Sequence, residues 1–202
     1  MKKEELIDSL KLKGFSNQIL NAFSKIAREN FVPEELKNQS YEDTALPIGN
    51  GQTISQPYTI AVMISLLEVK PEQKILEVGS GCGYVLALLS ELVGKNGKVF
   101  GIELIKELAE SSKQNLKDYS NIKIYNKNGA EGLKEKAPFH RILISAACEK
   151  IPKKLLLQLK EGGILVAPVG EHEQSLVAVQ RIKNKLIIKE KIPGFVFVKF
   201  ID

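Results

Sequence analysis

The chain has 202 residues, 44% of them hydrophobic and 26% charged, which suffices for one buried core and leaves little room for a second full-sized domain. Its net charge of +5 comes from scattered lysines, without Trp or a basic run among aromatic residues, and this argues against a nucleic-acid-binding surface. Cys82 and Cys148 are too few for a disulfide framework or a zinc cluster, and no apolar run reaches membrane-spanning length. We therefore expect a cytoplasmic monomer with no metal site, no nucleic-acid partner and no membrane contact.

The first 57 residues predict two helices followed by a long irregular segment. Apolar positions at helical spacing run through residues 3–30 and are interrupted near Gly14, after which Ser16 can cap the second helix. From Phe31 to Pro57 the periodicity is lost, and prolines and glycines accumulate. Such a loop in a compact protein is usually functional or disordered, and this one is too apolar for disorder, so we predict a functional loop.

From residue 58 onward, helical and strand patterns alternate. Strands are predicted at 74–78, 99–102, 122–125, 141–145 and 164–169, and helices at 58–67, 84–93, 106–116 and 153–159. This order is typical of a parallel sheet covered by helices on both faces. A hairpin is predicted from 176–182 and 186–191, with a final strand at 195–200. We thus expect a single domain with an N-terminal extension (1–57), an α/β core (58–170) and a C-terminal β portion (171–202).

A glycine-rich turn follows the predicted strand 74–78. Gly79, Gly81 and Gly83 would let the backbone turn sharply and let a ligand approach it, at the edge where open α/β sheets bind ligands. Glu103 ends the next strand, where its carboxylate can accept hydrogen bonds from both hydroxyls of a ribose. Each feature alone fits an ordinary turn or a solvated strand end, but together they predict a site for an adenosine-containing ligand. The glycine pattern of nicotinamide-dinucleotide-binding proteins needs a glycine at the position of Tyr84. Tyr84 therefore argues against a nicotinamide dinucleotide as the ligand without excluding it.

Two stretches carry a resemblance to known enzymes. Residues 77–84 (EVGSGCGY) resemble the first motif of the class I methyltransferases, which use S-adenosyl-L-methionine. Residues 45–58 (ALPIGNGQTISQPY) resemble the signature of the protein-L-isoaspartate (D-aspartate) O-methyltransferases in particular, and the likeness runs nearly end to end. It implies a doubly wound, mostly parallel seven-stranded α/β sheet of the Rossmann-like methyltransferase type, with N-terminal helices and a C-terminal antiparallel portion. It also implies methyl transfer to the free α-carboxylate of L-isoaspartyl residues in damaged proteins and peptides.

The resemblance also implies roles for individual residues. Ser55 matches the family's catalytic serine. Because a carboxylate is already ionised at neutral pH, we interpret Ser55 as an orienting hydrogen-bond donor and not as a covalent nucleophile. The substrate is expected to contact Ile54, Ser55, Val169 and Gly170. The cofactor is expected to contact Gln56, Glu77, Gly79, Ser80, Gly81, Gly83, Glu103, Leu104, Asn128, Gly129 and Gln174. Of these, Gln174 is expected to close over the cofactor.

Two positions depart from the family pattern. Asn128 stands where an Asp is usual, so it keeps a carbonyl acceptor for the adenine amino group but loses the charge, and we expect weaker cofactor binding than Asp would give. His140 stands where an acidic residue is usual, and we interpret it as a surface residue at the start of a strand. Three alternatives stay open: a class I methyltransferase acting on RNA or a small molecule, a non-enzymatic protein with the same cofactor fold, and a nicotinamide oxidoreductase.

Overall fold

The computed structural model describes residues 1–201 of the chain, and Asp202, the last residue of the predicted β portion, lies outside the described residues. The N-terminal third contains the helices and hairpin strands α1 (Lys3–Leu12), α2 (Asn17–Lys25), β1 (Leu46–Gly49), β2 (Gln52–Ile54) and α3 (Pro57–Leu67). Short 3-10 helices at Arg28–Phe31 and Glu34–Gln39 lie between α2 and β1. As predicted, Ser16 caps α2, since its hydroxyl accepts a hydrogen bond from the Ile19 amide at 3.5 Å.

The remainder of the chain forms the main sheet and its covering helices. Its elements are β3 (Lys74–Val78), α4 (Tyr84–Val93), β4 (Lys98–Glu103), α5 (Lys106–Asn115), β5 (Ile122–Asn126), β6 (Phe139–Ile144), α6 (Lys153–Leu157), β7 (Leu159–Val169), β8 (Gln174–Ile182) and β9 (Lys185–Phe195). Two further 3-10 helices lie at Gly129–Glu131 and Lys134–Lys136, between β5 and β6.

The seven strands of the main sheet lie in the order β5-β4-β3-β6-β7-β8-β9. The first five are parallel to one another, whereas β7, β8 and β9 pair antiparallel. The chain moves outward from β3 to β5 and then returns to the other side of β3 with β6. The doubly wound sheet with an antiparallel end is therefore confirmed, and the strand order reverses between β3 and β6, where open α/β sheets bind their ligands.

Burial on both faces explains the apolar strands at the centre of the sheet. In β3, Ile75 packs into a core formed with the N-terminal helices and α4, while Leu76 and Val78 pack into a second core on the opposite face. Helix α4 is apolar almost all round because it lies between the sheet and α2, with the Tyr84 ring 6.2 Å from that of Phe23 in an edge-on arrangement. The central strands therefore read as continuous hydrophobic runs.

The structure differs from the sequence prediction in three segments. The predicted helix 153–159 ends at Leu157, and β7 begins at Leu159 and not at residue 164. The predicted irregular loop contains the β1–β2 hairpin, whose turn residues Asn50 and Gly51 have φ of 52° and 68°. Asn-Gly favours this mirror-image turn, so the signal was present in the sequence.

The predicted final strand at 195–200 is wrong. Phe195 ends β9, and the following residues cross to the end of β6, where Ala147 donates to the Val198 carbonyl and accepts from the Phe200 amide, both at 2.8 Å. The backbone hydrogen bonds of this part of the chain are directed to a loop, so it forms a single bridge and not a strand.

Candidate active site

The carboxyl ends of β3, β4 and β6 meet around a pocket of about 600 Å³. Its walls include five of the residues predicted to contact a cofactor: Gly79, Gly81, Glu103, Leu104 and Gly129. Residues 198–201 form another wall, which the sequence analysis did not predict. The pocket therefore lies at the reversal of strand order, as expected for the fold.

The glycine turn is tied to β4 by its backbone. The amides of Gly79 and Ser80 both donate to the Ile102 carbonyl, at 2.9 and 3.1 Å. Gly83 serves a structural purpose, because its φ is 90° and a Cβ there would lie 2.5 Å from Ser112 Oγ, against α5. Gly83 therefore allows α4 to begin close to α5, and it does not line the pocket.

Glu103 is a buried carboxylate held by the backbone, not a solvated strand end. Its exposed fraction is 6%, and its two oxygens accept hydrogen bonds from the amides of Gly81 (2.7 Å) and Ile105 (2.9 Å). The Asn126 side chain donates to the carbonyls of Glu103 and Leu104 and so fixes this strand end. Since each carboxylate oxygen can accept two hydrogen bonds, both keep an acceptor position for a ligand.

Glu77 is a second carboxylate near the glycine turn, and it is almost fully buried. Ser145 Oγ donates to its Oε1 at 2.8 Å, while Oε2 has no partner among the described residues. Burial raises the pKa of Glu77 to about 8, and the charge of Glu103 acts in the same direction. The side chain is thus mainly protonated at neutral pH, and it lines a small cavity of about 380 Å³ between the glycine turn and Ser55.

Ser55 lies between β2 and α3, where the small cavity meets an open cleft of about 1250 Å³. In the described part of the chain its hydroxyl has no hydrogen-bond partner, so it is not occupied with a neighbouring backbone group. Two residues that the sequence analysis did not single out, Thr53 and Ser145, line the pocket, the small cavity and the cleft alike. The three spaces therefore adjoin one another at Thr53 and Ser145, and Ser55 lines two of them, the small cavity and the cleft. Ile54 is buried beside it and lines the small cavity.

Several of the predicted site residues lie outside the pocket, Gln56, Val169 and Gly170 among them. Gln56 lines the open cleft and not the pocket, and its Oε1 accepts from Thr59 Oγ1 at 3.3 Å. Val169 pairs with Cys148 in an isolated bridge, and Gly170 donates to the Cys148 carbonyl. Neither of these two lines the cleft beside Ser55. They were placed there by analogy, but β7 ends on the other side of residues 197–200.

Gln174 is bonded to the backbone of the C-terminal part of the chain. Its Nε2 donates to the Phe197 carbonyl at 3.3 Å, and its Oε1 accepts from the Phe197 amide at 2.6 Å. It does not line the pocket expected to hold the cofactor, whereas residues 198–201, which follow its partner Phe197, do.

Asn128 and Ser80 also lie outside the pocket. The Asn128 carbonyl oxygen accepts from the Ala130 amide at 2.8 Å and caps the 3-10 helix Gly129–Glu131. Ser80 is buried with an unpartnered hydroxyl, close to Gly101 of β4, and lines only the small cavity. The neighbour of Asn128, Gly129, is the residue that reaches the pocket wall.

His140 lies at the opposite edge of the sheet from this site. Its Nδ1 accepts from the Lys74 amide at 3.0 Å, where β3 begins, and burial and the charge of Lys160 lower its pKa. It is a strand-entry residue, as the sequence analysis suggested.

Three general features complete the description of residues 1–201. No three His, Cys, Asp or Glu side chains in this range are grouped so that they could hold a metal ion. None of its helices combines the length and the apolar character that crossing a membrane requires. Both cysteines are free and buried.

Comparison with known proteins gives a family match over the whole chain. The family model for protein-L-isoaspartate(D-aspartate) O-methyltransferase matches residues 1–202. A curated protein-L-isoaspartate O-methyltransferase of Methanothrix thermoacetophila is 44% identical over 203 aligned residues, covering 100% of this chain and 95% of the relative.

Two solved structures are also similar. One, described as a protein-L-isoaspartate O-methyltransferase, superimposes with a TM-score of 0.91 at 27% identity and covers 98% of this chain, which spans 65% of that protein's length. The other, from Plasmodium falciparum, is described as a protein-L-isoaspartate O-methyltransferase in complex with S-adenosyl-L-homocysteine. It has a TM-score of 0.86 at 28% identity, with 99% of this chain and 98% of that one covered.

Proposed function

The chain belongs to the protein-L-isoaspartate (D-aspartate) O-methyltransferase family, and from this premise we propose how its site performs the family's reaction. The enzyme transfers a methyl group from S-adenosyl-L-methionine to the free α-carboxylate of L-isoaspartyl residues in damaged proteins and peptides. One observation carries the assignment of roles: the pocket at the carboxyl ends of β3 and β4 and the open cleft share Thr53 and Ser145 as lining residues, and Ser55 lines both the cleft and the small cavity next to the pocket.

The residues of the pocket fit S-adenosyl-L-methionine. Glu103 offers two fixed acceptor oxygens to the ribose hydroxyls, and Leu104 and Gly129 provide walls for the adenine. Gly81 has a φ of 51°, and a Cβ there would lie 3.1 Å from the Ile48 side chain, so glycine lets the turn pack closely against the hairpin that forms another wall of the pocket. Glu77 lines the small cavity beside this pocket, and an ammonium group of the cofactor placed next to it would favour the ionised carboxylate, whose Oε2 can then accept a hydrogen bond. When bound, the cofactor supplies an electrophilic methyl group on a positively charged sulfur.

Ser55 orients the acceptor carboxylate. Its hydroxyl can donate one hydrogen bond to a carboxylate oxygen and so leave the other oxygen directed at the methyl group. No general base is required, because the carboxylate is already ionised near neutral pH. Catalysis by this chain therefore consists mainly of holding two bound groups in line.

The cleft suits an extended peptide. Ser55 and Gln56 form one side of it, and residues 192–198 form the other. An isoaspartyl residue differs from aspartate in backbone connectivity and not in side-chain type, so contacts with the peptide main chain can recognise it. Tolerance of many flanking sequences follows from this mode of recognition.

Selective labelling of paired peptides tests the function. Labelled S-adenosyl-L-methionine is offered with two peptides that differ only in carrying isoaspartate or aspartate at one position. We expect base-labile label on the isoaspartyl peptide alone, because a methyl ester is the product. Equal labelling of both peptides, or of neither, would contradict the proposal.

The remaining expectations about the molecule's partners stay predictions. Scattered lysines support the absence of a nucleic-acid or membrane partner, and free buried cysteines are compatible with a reducing compartment such as the cytoplasm. The monomeric state likewise stays a prediction.

A further inference from the structure

A buried arginine, Arg28, lies behind the catalytic serine. Its exposed fraction is 0%, and its guanidinium donates to the carbonyls of Ser40 (2.6 Å), Thr44 (3.0 Å) and Ser55 (3.1 Å). It forms no ion pair with any of residues 1–201. The partners of this cation are therefore backbone dipoles of the loop that carries Ser55.

Burying the Arg28 guanidinium costs free energy unless the carbonyl dipoles around it are well placed to bind it. A buried cation loses its hydration and is retained only when hydrogen bonds replace the water. Burial lowers the pKa of Arg28, but a guanidinium stays protonated at any ordinary pH. The planar fork can satisfy several carbonyls at once, which the single ammonium of a lysine cannot do in the same geometry.

The carbonyls that Arg28 binds belong to two parts of the cleft wall. Thr44 and Ser55 both line the cleft, although they are separated along the chain by the whole β1–β2 hairpin. Between Ser40 and Thr44, the Asp43 carboxylate also accepts from the Tyr58 amide at the start of α3, at 2.8 Å. A single guanidinium thus joins the two ends of the substrate loop.

The cleft has little positive charge of its own. Its described lining residues include Asp43 but no lysine or arginine, although the substrate group is a carboxylate. The Arg28 guanidinium is bonded to the carbonyl of Ser55, a residue that lines the cleft. Its charge is only weakly screened because the side chain is buried away from water.

We propose that Arg28 is a positioning residue for the methyl acceptor: it fixes Ser55 relative to the cofactor pocket and adds a buried positive charge behind the carboxylate site. The proposal rests on the function proposed above. It assigns Arg28 no contact with the substrate.

Kinetics of Arg28→Met, with Arg141→Met as the matched control, test this role. Arg141 is also a buried arginine that binds backbone carbonyls, those of Glu68 and His140, but it lies at the start of β6, away from the cleft. The assays are run well below the melting temperature of each variant. The kcat is calculated per binding site, with the number of sites measured by titration with S-adenosyl-L-homocysteine. For Arg28→Met we expect the KM of the isoaspartyl peptide to rise and kcat to fall, each by about tenfold or more.

The cofactor affinity separates positioning from a general loss of structure. The Kd of S-adenosyl-L-homocysteine should stay within about twofold of wild type in Arg28→Met, because the Glu103 carboxylate is held by the amides of Gly81 and Ile105 and not by Arg28. Arg141→Met should lower the melting temperature and leave KM unchanged. If the two variants change KM and kcat equally, the proposal is overturned.

Arg28→Lys keeps the test decisive if Arg28→Met does not fold. Lysine retains the charge without the fork, so we expect KM within about threefold of wild type and kcat lowered about tenfold. A lysine variant with wild-type kcat would overturn the positioning role. Absence of isoaspartyl-specific labelling by the wild-type enzyme would instead overturn the proposed function, and this inference with it.

Discussion

Most of the groups at the site are held in place by hydrogen bonds with neighbouring residues. Glu103 is held by two backbone amides, Glu77 by Ser145, and the Ser55 backbone by Arg28. The Ser55 hydroxyl is the exception, since it has no partner among the described residues, and Ser55 lines both the small cavity and the cleft. Its role is therefore the one that a single substitution tests most directly.

Replacing Ser55 with Ala should lower kcat about tenfold to a hundredfold, because one hydrogen bond that orients the carboxylate is lost. Calorimetric titration should show S-adenosyl-L-homocysteine binding within about twofold of wild type, since none of the pocket's acceptors changes. Ser24→Ala, at a serine whose hydroxyl bonds only within α2, is the control. An orienting role would be disproved by Ser55→Ala losing cofactor binding together with turnover.

At the scale of elements, the C-terminal segment 196–201 is the part of the site that the sequence analysis missed. It separates the cofactor pocket from a neighbouring pocket next to β7, and Val198–Ile201 line the former. The segment is attached by its two bonds to the Ala147 backbone and by the amide of Gln174, which bonds both the N–H and the carbonyl of Phe197.

Replacing Gln174 with Ala should raise both the Kd of S-adenosyl-L-homocysteine and the KM of the peptide about fivefold to tenfold. Two hydrogen bonds worth roughly 1 kcal/mol each would be lost, and the pocket wall would loosen. Gln180→Ala is the control, because Gln180 also lies on β8 and bonds a backbone carbonyl, that of Gly162. An unchanged Kd and an unchanged KM in Gln174→Ala would show that the position of residues 196–201 does not depend on these two hydrogen bonds.

For the molecule as a whole, the buried Glu77 links stability to pH. The pKa of Glu77 is about 8 in the folded protein against 4.5 for a freely solvated glutamate, so between these values the folded state binds more protons than the unfolded state. The free energy of unfolding therefore falls as pH rises from about 4.5 to 8. His140, whose pKa is lowered by burial, acts in the opposite sense, since the unfolded state then binds more protons below the ordinary histidine pKa.

Glu77→Gln isolates this effect, because glutamine stays neutral and His140 is the same in both proteins. We expect the melting temperature of wild type, relative to Glu77→Gln, to decline between pH 5 and 8 in the absence of cofactor. Glu110→Gln, at an exposed position of α5, should follow wild type throughout. Parallel curves for wild type and Glu77→Gln would show that the Glu77 carboxyl is not mainly protonated at neutral pH.

Local patterns in the sequence were sufficient for the architecture. The strands and helices from residue 57 to 144 lie within two residues of their predicted ends, because apolar runs buried on both faces and the glycine turns bounding them are encoded locally. The cofactor turn with Glu103 was also predictable, since parallel strands bring their carboxyl ends to one edge. The division of the chain into 1–57, 58–170 and 171–202 stays a prediction.

The remaining features depend on contacts between residues far apart in the chain, and no periodicity encodes them. Arg28 bonds the Ser55 carbonyl across 27 positions, Gln174 bonds Phe197 across 23, and Ser145 bonds Glu77 across 68. Resemblance placed Gln174, Val169 and Gly170 at the ligands, whereas the packed chain brings residues 198–201 into the wall of the pocket. The sequence by itself determined the fold and the family, and it predicted an adenosine-type site. Only the tertiary structure decided which side chains hold the catalytic loop and which segment forms the pocket wall, because a side chain's partners are set by the packing of distant segments.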